Sequence, residues 1–529
     1  MKDNVPIERV RGLSRLPWNA LLWAAAIALV TALTFHEGMN YELLSDWDDV
    51  TFVVKNPHIA LSWNNFLFYL CHPFQDLFSP LPLWSLMVDR ALWDLNPLGY
   101  HLHNLVLHIL AAWALLAVLR KLGVRHSLAG LGALLWALNP QKVESVIWVS
   151  ERKDVLCGLF AFLAVWLFLE HRWGWCSFCT VLSIFAKPAA LALPGVYVVL
   201  TWGSGKSYWR REVAGPVAAG VLAAVWSMVV TSQTNPGTVE ASLLVPLHNF
   251  FWYPLTALIP FETNPFYPEA IALDARCVAV LVGGSALLVG GVLLARRLGC
   301  AWRGILVALM TIVGAMAPVL GLLHYTNFRY CDRYNYLVSA AVLCAACLLA
   351  ELSFRRWSNP RLNRAVLVFL SIGAVIYASC SYLYVPYWEN GVRLSYYGLQ
   401  RPGQPNLKAY ELGIMAGFRL GAVEYLDYLR HELPIRPPLT HFEVETSVQT
   451  LLLFMDAHQR FLEGDFQAAE ECYQRLAETM AQGRAAEGKR EVALPAPLIA
   501  WLYEDLATIA EQQGDDKKAA FYRKELMSE

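Results

Sequence analysis

Three acidic residues close to the first hydrophobic segment have the types and spacing of a catalytic site. Asp46, Asp48 and Asp49 lie within the stretch YELLSDWDDVTFVVKNPH, residues 41–58. Carboxylates beside a membrane span are costly unless they meet water, a cation or a polar substrate. A carboxylate placed there can accept the proton of an attacking hydroxyl group. The motif predicts a general base at Asp48 or Asp49, with a solvated turn as the alternative interpretation.

Basic and hydrogen-bonding side chains recur in four further motifs, and side chains of these types bind phosphate and sugar groups. The candidate binding residues are His101, Asn104 and His108 of GYHLHNLVLH; Glu144, Arg152 and Lys153 of NPQKVESVIWVSERKD; Lys187 of FAKP; and Arg329, Arg333 and Tyr334 of HYTNFRYCDRYNY, which also contains His324. Arginine and lysine would hold a phosphate that leaves, and the histidines would orient the base or the sugar.

Two of these motifs also have simpler interpretations. His101, Asn104 and His108 share one helical face at i, i+3 and i+7, a spacing that also suits hydrogen bonds between membrane helices. Lys187 at a helix end could extend its ammonium group to the membrane interface. A binding site is favoured because the predicted topology brings all of the motifs to one face.

The elements that must position these residues are membrane helices. Of 529 residues, 57% are hydrophobic and 16% are charged, and the net charge is −1. The mean hydropathy is +0.39. Such a chain is too apolar for a soluble globular protein, and it has no charged block that would indicate a nucleic-acid partner. Most of the 11 cysteines lie in apolar segments, and the pair Cys176 and Cys179 lacks a second pair to complete a metal site.

About eleven spanning helices are predicted from the apolar runs. They cover approximately residues 18–35, 100–119, 127–139, 155–169, 175–186, 189–202, 212–231, 275–295, 303–323, 335–353 and 363–384. Residues 245–259 contain Pro254 and predict a re-entrant or interfacial helix. Residues 37–99 form the first outer loop, with short interfacial helices near 63–70 and 82–93.

The distribution of basic residues predicts the orientation. Lys2, Arg9, Arg11 and Arg15 precede the first span, and the basic loops are 120–126, 170–174, 203–212, 296–303 and 354–364. The positive-inside rule places these segments in the cytoplasm. The polar motifs and the segment after the last span then lie at the outer face.

The chain changes character after residue 387, and residues 388–529 are predicted to be a separate helical domain. Small residues and a tyrosine recur at matching offsets: Ala457, Gly464, Ala469 and Tyr473, and then Ala507, Gly514, Ala519 and Tyr522. Such offsets let two antiparallel helices cross closely, as in tetratricopeptide repeats (TPRs). A fainter copy surrounds Gly413 and Gly421, and a Gly/Ala-rich insert, 480–497, separates the clear copies. Ordinary helical hairpins are the alternative.

Five motifs in order resemble a known family. They are WDDVTFVVKNP (47–57), GYHLHNLVLH (99–108), NPQKVESVIWVSERKDVL (139–156), FAKPAALALP (185–194) and DRYNYL (332–337). With the repeats, they resemble the membrane C-type (GT-C) glycosyltransferases that carry a C-terminal TPR domain, including the transmembrane and tetratricopeptide repeat-containing O-mannosyltransferases and their bacterial relatives.

The resemblance implies an all-α, GT-C-like fold and a specific reaction. An inverting transferase would move a mannose-like hexose or another sugar from a polyprenyl phosphate to a hydroxyl of a protein or glycan. The catalytic acid of the first outer loop maps onto Asp48 or Asp49. The basic residues of ERKD, Lys187 and the arginine of DRY would line the donor phosphate. A divalent cation is optional, and Glu144 with the adjacent carboxylates would then be its ligands.

The chain also departs from the family. Relatives usually carry His-Pro at the start of the third motif and often a second histidine two residues later, where this sequence has Asn139, Pro140 and Lys142. If those histidines bind donor or metal, a standard donor is in doubt. The repeats are few, which weakens the case for a long protein acceptor held by a solenoid.

Two other functions remain as alternatives. A transporter would place its ionisable groups mid-membrane on broken helices, and a membrane-anchored repeat scaffold would leave the outer motifs unexplained. The predicted partners are the lipid-linked donor, the acceptor, membrane lipid and a protein bound by the repeats, with no nucleic acid. The chain has no Asn-x-Ser/Thr sequon, which favours a bacterial inner membrane with a periplasmic active site over the endoplasmic reticulum.

Overall fold

The structure is a computed structural model that describes residues 18–44, 46–75, 77–205, 211–233, 243–260, 262–267, 271, 273–321, 329–401, 407–432, 439–441, 444–446, 448–484, 491–492, 494 and 496–528. The basic segment 1–17, His324, and parts of the loop 203–212 and of the insert 480–497 lie outside the described residues.

Fifteen helices make up the described part of the membrane region. They are α1 Trp18–Phe35, α2 Trp63–Cys71, α3 Pro80–Trp93, α4 Pro97–Lys121, α5 His126–Ala137, α6 Val143–Ile147, α7 Arg152–Leu169, α8 Trp173–Ala186, α9 Leu193–Gly203, α10 Arg211–Thr231, α11 Leu244–Leu258, α12 Ala275–Arg297, α13 Trp302–Met316, α14 Asn335–Trp357 and α15 Pro360–Tyr384. The predicted all-α, polytopic fold class is confirmed.

Seven helices of the described chain are long and apolar enough to cross a membrane: α1, α4, α10, α12, α13, α14 and α15. The helices α5 and α8 and the segment Pro188–Gly203 are apolar but shorter. Helix α7 matches its predicted span and carries three charged residues in its first turn. The total of eleven spans stays a prediction.

Local sequence explains where several of these helices begin. The Asn96 side chain accepts a hydrogen bond from the Leu98 amide and is followed by Pro97 at the first turn of α4. Asn359 and Pro360 act in the same way at the start of α15. Asparagine at the cap satisfies a free amide, and proline in the first turn loses no helical hydrogen bond.

The segment between α1 and α4, which is predicted to be the first outer loop, packs against the membrane helices α4, α7 and α8 through α3. Helices are present at both predicted positions, as α2 and α3, and their interfacial placement stays a prediction. The acidic motif leads into a short π-helix, Val50–Val54, whose Phe52 and Val53 are buried. Together with Tyr69 and Tyr100, these side chains form a small apolar core beneath the loop. The residues that follow the acidic motif are therefore well packed.

The C-terminal part is built mainly from helical hairpins. Its helices are α16 Gly391–Leu399, α17 Leu407–Arg419, α18 Val423–Glu432, α19 Val448–Leu462, α20 Phe466–Arg484, α21 Ala496–Gln512 and α22 Asp516–Ser528, with the strands β1 Leu439–His441, β2 Val444–Thr446 and β3 Glu491–Val492. Strand β2 pairs antiparallel with β1 and parallel with β3.

The two predicted repeat copies coincide with two of these hairpins. Gly464 turns between α19 and α20 with φ +82°, and Gly514 turns between α21 and α22 with φ +74°. Glycine adopts such angles without a steric penalty. The hairpins are therefore present, while their assignment as TPRs and the domain boundary at 387/388 stay predictions.

The largest cluster of buried apolar side chains extends from the membrane helices into the C-terminal helices. It includes Ile27 of α1, Trp136 of α5, Trp388, Tyr410 of α17 and Phe454 of α19. A 3-10 helix, Val385–Trp388, connects α15 to α16 and contributes Trp388 to that cluster. The described C-terminal helices thus share a core with the membrane region.

Candidate active site

The adjacent aspartates of the outer loop have different surroundings. Asp49 is buried, and its Oδ2 accepts a hydrogen bond from the Leu44 amide at 2.9 Å. Its Oδ1 accepts one from the Ser150 amide at 2.8 Å and another from the Ser150 hydroxyl. Both oxygens of Asp49 are therefore occupied. Burial is the main cause that raises the pKa of Asp49 to about 6.

Asp48 is half-buried and is engaged only through longer-range charges. In the described part of the chain, its carboxylate forms neither a hydrogen bond nor an ion pair. Burial raises the pKa of Asp48, and the positive charges of Lys153 and Arg333 oppose that shift. A carboxylate with free oxygens, raised basicity and nearby cations has the properties of a general base.

Six charged residues next to the aspartates form the acid–base cluster. Its members are Glu144, Glu151, Lys153, Asp154, Lys187 and Arg333. They come from the short helix α6, the start of α7, the end of α8 and the segment before α14. The structure therefore brings together three of the five motifs, at helix ends.

Lys187 joins two carboxylates of the acid–base cluster. Its Nζ lies 2.6 Å from Glu151 Oε1 and 2.8 Å from Asp154 Oδ1. Burial opposes the charged lysine, but Asp154 and Glu151 outweigh it and raise the pKa of Lys187 above its usual range. Lys187 is thus held charged in a fixed position.

Lys153 and Arg333 approach the same glutamate at longer distances. Lys153 Nζ lies 3.5 Å from Glu151 Oε2, and Arg333 Nε lies 3.6 Å from it. Burial would raise the pKa of Glu151, but the surrounding cations outweigh it and hold that pKa below its usual range. Arg333 also pairs with Glu144 Oε1. Glu144 Oε2 is buried without a hydrogen-bond partner among the described atoms.

Arg152 lies in a separate, fully buried network. Its guanidinium donates to Asn104 Oδ1 at 2.6 Å, to the Tyr100 carbonyl at 2.9 Å and to the Asp89 carboxylate. It also donates to the Ser85 hydroxyl at 3.1 Å. Because these bonds engage all three nitrogens of Arg152, the geometry gives it a structural position, and its predicted contact with phosphate stays a prediction.

The two candidate histidines of the second motif, His101 and His108, are also buried. His108 contacts the Tyr336 hydroxyl through Nδ1 at 2.7 Å and the Ala137 carbonyl through Nε2 at 3.0 Å. This is the interhelical arrangement that the spacing allowed. Neither ring nitrogen of His101 has a hydrogen-bond partner of normal geometry in the described structure. Neither histidine contacts Asp49, so their predicted orienting role stays a prediction.

The remaining candidates lie around the DRY motif. The Tyr334 ring is 5.5 Å from Lys187 Nζ and 5.6 Å from the Arg333 guanidinium carbon. The Arg329 carbonyl accepts a hydrogen bond from Asn249, and its guanidinium forms no hydrogen bond or ion pair with the described residues. Tyr334 therefore belongs to the site, and the predicted role of Arg329 stays a prediction.

Lys142 occupies the position where relatives often carry a histidine. Its Nζ is buried and donates to the Asn335 carbonyl at 3.0 Å and to the Ser339 hydroxyl at 2.8 Å. Burial lowers the pKa of Lys142 to about 7. The amine thus joins the segment before α6 to α14.

An aromatic stack borders the acidic motif. The Trp47 ring stacks on Trp148 at 4.3 Å and on Phe266 at 5.3 Å, and it lies parallel to Trp388 at 6.3 Å. The Arg333 guanidinium lies over Trp148 at 5.5 Å. The stack fixes the residue immediately before Asp48.

The sequence analysis missed several of these residues. A signal existed for Asp89, an acid that directly follows the largely apolar stretch PLPLWSLMV in α3. A signal also existed for Ser150, which immediately precedes ERKD. The contact of Asp46 with Arg419 of α17, Nε to Oδ1 at 2.6 Å, has no sequence signal because 373 positions separate the two residues.

The optional divalent cation finds no ready ligand set. Within the described ranges, no group of three His, Cys, Asp or Glu side chains could hold a metal ion. The carboxylates of the acid–base cluster are paired with lysine and arginine, which compete with a metal for the same oxygens. The residues present therefore do not fit the cation.

An apolar cavity of about 420 Å³ lies elsewhere in the structure. It is bounded by α11, α12, α13 and α14, and Leu122 and Gly123 also line it. The acid–base cluster lies instead at the beginning of α14. The cavity is therefore separate from the candidate active site.

Part of the chain is similar to curated O-mannosyltransferases. It is 29% identical over 148 residues to protein O-mannosyl-transferase TMTC2 of Mus musculus, and the alignment covers 24% of this chain and 17% of the relative. It is 33% identical over 117 residues to protein O-mannosyl-transferase Tmtc1 of Drosophila melanogaster, covering 21% and 13%. The resemblance that the motifs predicted is confirmed. The matched region spans less than a fifth of the length of these relatives, and no protein-family profile matches the chain.

Two solved structures superpose loosely on the chain. The crystal structure of ArnT from Cupriavidus metallidurans bound to undecaprenyl phosphate has a TM-score of 0.36 and 16% identity, and covers 79% of this chain and 81% of that chain. The Archaeoglobus fulgidus oligosaccharyltransferase tethered with an acceptor peptide has a TM-score of 0.37 and 12% identity, and covers 78% and 58%. Superpositions this loose support no statement about the reaction.

Proposed function

We propose that the protein is a glycosyltransferase that moves a sugar from a polyprenyl phosphate to an acceptor hydroxyl at the outer face of the membrane. The observation that carries the proposal is Asp48, a half-buried carboxylate without a hydrogen-bond partner among the described residues. The charges of Lys153 and Arg333 act on it. A base would thus lie beside cations that could stabilise a departing phosphate.

Asp48 would be the base, and Asp49 would hold the loop. Asp49 already accepts three hydrogen bonds through its two oxygens, from the Leu44 amide and from the Ser150 amide and hydroxyl. An acceptor hydroxyl would have to displace one of them. Asp48 has no such competitor among the described residues, and its raised pKa makes it a stronger base than an ordinary aspartate.

Lys153 and Arg333 would bind the donor phosphate. Their contacts with Glu151 are long, at 3.5 and 3.6 Å. Lys153 could turn to a phosphate without losing a short ion pair, and Arg333 would bind phosphate while keeping its pair with Glu144. Lys187 is committed to Glu151 and Asp154 at under 3 Å, and it would contribute mainly charge and rigidity. Fixed cations aimed at developing negative charge are a major source of catalysis.

The reaction would be a single displacement with inversion. The acceptor oxygen attacks the anomeric carbon of the sugar and forms the new glycosidic bond. The bond from that carbon to the phosphate oxygen breaks, and its electron pair leaves with the lipid phosphate. Asp48 takes the hydroxyl proton during the attack. Glu144 Oε2, which is unpartnered in the described structure, would accept a hydrogen bond from a sugar hydroxyl.

The relatives suggest the sugar and the acceptor. Both are named protein O-mannosyl-transferases, so we propose mannose as the sugar and a protein hydroxyl as the acceptor. The positive-inside rule, applied to the basic loops, favours an outer position for the site. That face would be periplasmic in a bacterial inner membrane, or luminal in the endoplasmic reticulum.

The proposal is tested by transfer of radiolabelled mannose from undecaprenyl or dolichyl phosphate in membranes that contain the protein. We expect label in the protein fraction with the wild-type chain. Asp48→Asn should reduce transfer by about 10²- to 10⁴-fold, the usual contribution of a general base. The variant should keep wild-type expression and thermal stability, because Asp48 has no hydrogen-bond partner to lose among the described residues.

The matched control is Asp94→Asn, which changes an exposed carboxylate of the same outer loop. It should transfer sugar at the wild-type rate. Full activity of a folded Asp48→Asn variant would exclude Asp48 as the base. If the wild-type protein neither consumes these donors nor binds a polyprenyl phosphate after purification, the transferase assignment fails.

A further inference from the structure

We propose that helix α17 of the C-terminal part forms one wall of the active site and that its Arg419 is a positioning residue for sugar transfer. The inference rests on the proposed function. It gives the C-terminal helices a direct part in the reaction, in place of a role as an appended binding module.

Arg419 holds the acidic motif through a two-point ion pair. Its Nε lies 2.6 Å from Asp46 Oδ1, and its second nitrogen lies 2.8 Å from Oδ2. The Asp46 side chain is 2% exposed and the Arg419 side chain 34%. A bidentate pair of arginine with a buried carboxylate restricts both position and rotation. It is therefore a stronger restraint than an exposed surface pair.

Close packing accompanies the ion pair. A Cβ atom built on Gly391, the first residue of α16, would meet Ala416 Cβ at 2.7 Å and Leu412 Cδ1 at 3.1 Å. It would also meet Asp46 Oδ2 at 3.1 Å. Helix α16, helix α17 and the acidic motif thus meet where there is little room for a methyl group. The contact between the two parts of the chain is a packed one.

The position of Asp48 lies between two anchors. On one side, Asp49 is bonded to Ser150 of the membrane region. On the other side, Asp46 is bonded to Arg419, and Trp47 is stacked on Trp148. Because the Asp48 carboxylate accepts no hydrogen bond in the described structure, these neighbours set its direction. A displacement of about 1 Å can cost a reaction roughly 10²-fold.

The other end of α17 also acts on Asp48. The positive charge of Lys408, in the first turn of the helix, opposes the raised pKa of Asp48, in the same direction as Lys153 and Arg333. Helix α17 therefore carries the Asp46 partner in its last turn and, in its first turn, a Lys408–Glu411 pair whose cation acts on Asp48 less than Lys153 and Arg333 do. An acceptor that binds the C-terminal helices would lie next to the base.

The kinetic test uses the full-length protein and the mannosyl donor that the wild type consumes. Arg419→Ala should lower the rate at saturating donor by about 10- to 100-fold, with the donor KM within about twofold. Arg419→Lys should recover part of the rate. The double variant with Asp46→Arg and Arg419→Asp reverses the ion pair, and its rate should exceed that of either single variant. The control is Arg393→Ala, which removes an exposed pair with Glu389.

The second test needs no activity. A cysteine introduced as Asp48→Cys is labelled with a membrane-impermeant maleimide, and the modified peptide is quantified by mass spectrometry. Adding Arg419→Ala should speed labelling at residue 48 at least severalfold, because the loop loses one anchor. Adding Arg393→Ala should leave that rate unchanged.

The outcomes separate this inference from the proposed function. Wild-type transfer by a folded Arg419→Ala protein, or an unchanged labelling rate at residue 48, would overturn the positioning role even if Asp48→Asn is inactive. Full activity of Asp48→Asn would instead overturn the base assignment. Two results together support the positioning role. Labelling at residue 48 becomes faster, and the maximal transfer rate falls while the donor KM stays unchanged.

Discussion

Arg152 and Lys153 are neighbours in the sequence but belong to two different charged regions. Arg152 lies in a network whose carboxylate partner, Asp89, is also fully buried and receives a second contact from His103 Nδ1 at 2.6 Å. Lys153 faces the acid–base cluster, where its contact with Glu151 is 3.5 Å long. Arg152 is thus held by short contacts, whereas the ion pair of Lys153 is long, and we propose that its ammonium group binds a ligand.

This difference distinguishes structural charges from candidate functional ones. A buried charge is tolerated when its partners satisfy it completely, and the loss of one partner is then costly. A charged side chain whose contacts are long can form a new ion pair with a substrate without losing a short one. By this criterion Arg152, Asp89 and Asp49 support the fold, whereas Asp48 and Lys153 are the residues that we propose for chemistry.

The largest expected effect is on the buried network of Arg152 and Asp89. Arg152→Met would leave the Asp89 carboxylate buried without its main cation, at a cost of about 3–5 kcal/mol. We expect a strong loss of monodisperse protein in detergent and a lower thermal unfolding midpoint. Lys153→Met should fold normally in the same measurements. A stable Arg152→Met protein with weakened donor binding would contradict the comparison and make Arg152 a donor ligand.

An intermediate effect is expected in the pH dependence of stability. The pKa of Asp49 is raised from 3.8 to about 6 by burial. The folded state therefore binds more protons at Asp49 than the unfolded state between these values, so the contribution of Asp49 to stability is largest below about pH 4 and falls as the pH rises to about 6. A shift of two pKa units corresponds to roughly 3 kcal/mol.

The measurement is the unfolding midpoint of purified protein between pH 4 and 7. Asp49→Asn should flatten the decline in that interval, although it lowers the midpoint overall by disturbing the bonds from Ser150 and Leu44. Asp94→Asn is the matched control and should retain the wild-type slope. An unchanged slope in Asp49→Asn would show that another group controls stability there.

The smallest expected effect is on the acid–base cluster, at Lys153. Lys153→Met should raise the donor KM by about 10- to 100-fold, because a hydrogen bond to a charged group contributes about 1.5–3 kcal/mol. The exposed Lys55 of the same outer loop provides the control variant Lys55→Met, which should bind donor normally. Equal donor affinity in the two variants would remove Lys153 from the phosphate site.

Much of the fold could be predicted from the sequence. The helices α4, α10, α12, α14 and α15 begin or end within a few residues of the predicted spans. Gly464 and Gly514 mark two hairpins as expected. These features follow from local chemistry, because long apolar runs form helices in a membrane and glycine at a turn adopts a positive φ.

The site could be predicted only in outline. The motifs predicted that Lys153, Lys187 and Arg333 lie together, but they did not assign a separate role to each residue. His108 had the spacing of a ligand and instead contacts Tyr336 and a backbone carbonyl. A spacing of i, i+3 and i+7 shows that side chains share a face, and it does not show what that face meets.

The sequence by itself determined a polytopic helical protein with clustered charges at helix ends, because hydropathy and the positive-inside rule act on local segments. Only the tertiary structure decided which member of each adjacent pair remains available to a ligand. Successive residues of a helix point about 100° apart, so Arg152 and Lys153 meet different neighbours. The choice between Asp48 and Asp49, and the restraint on Asp46, depend on Ser150 and Arg419, which folding alone brings to the acidic motif.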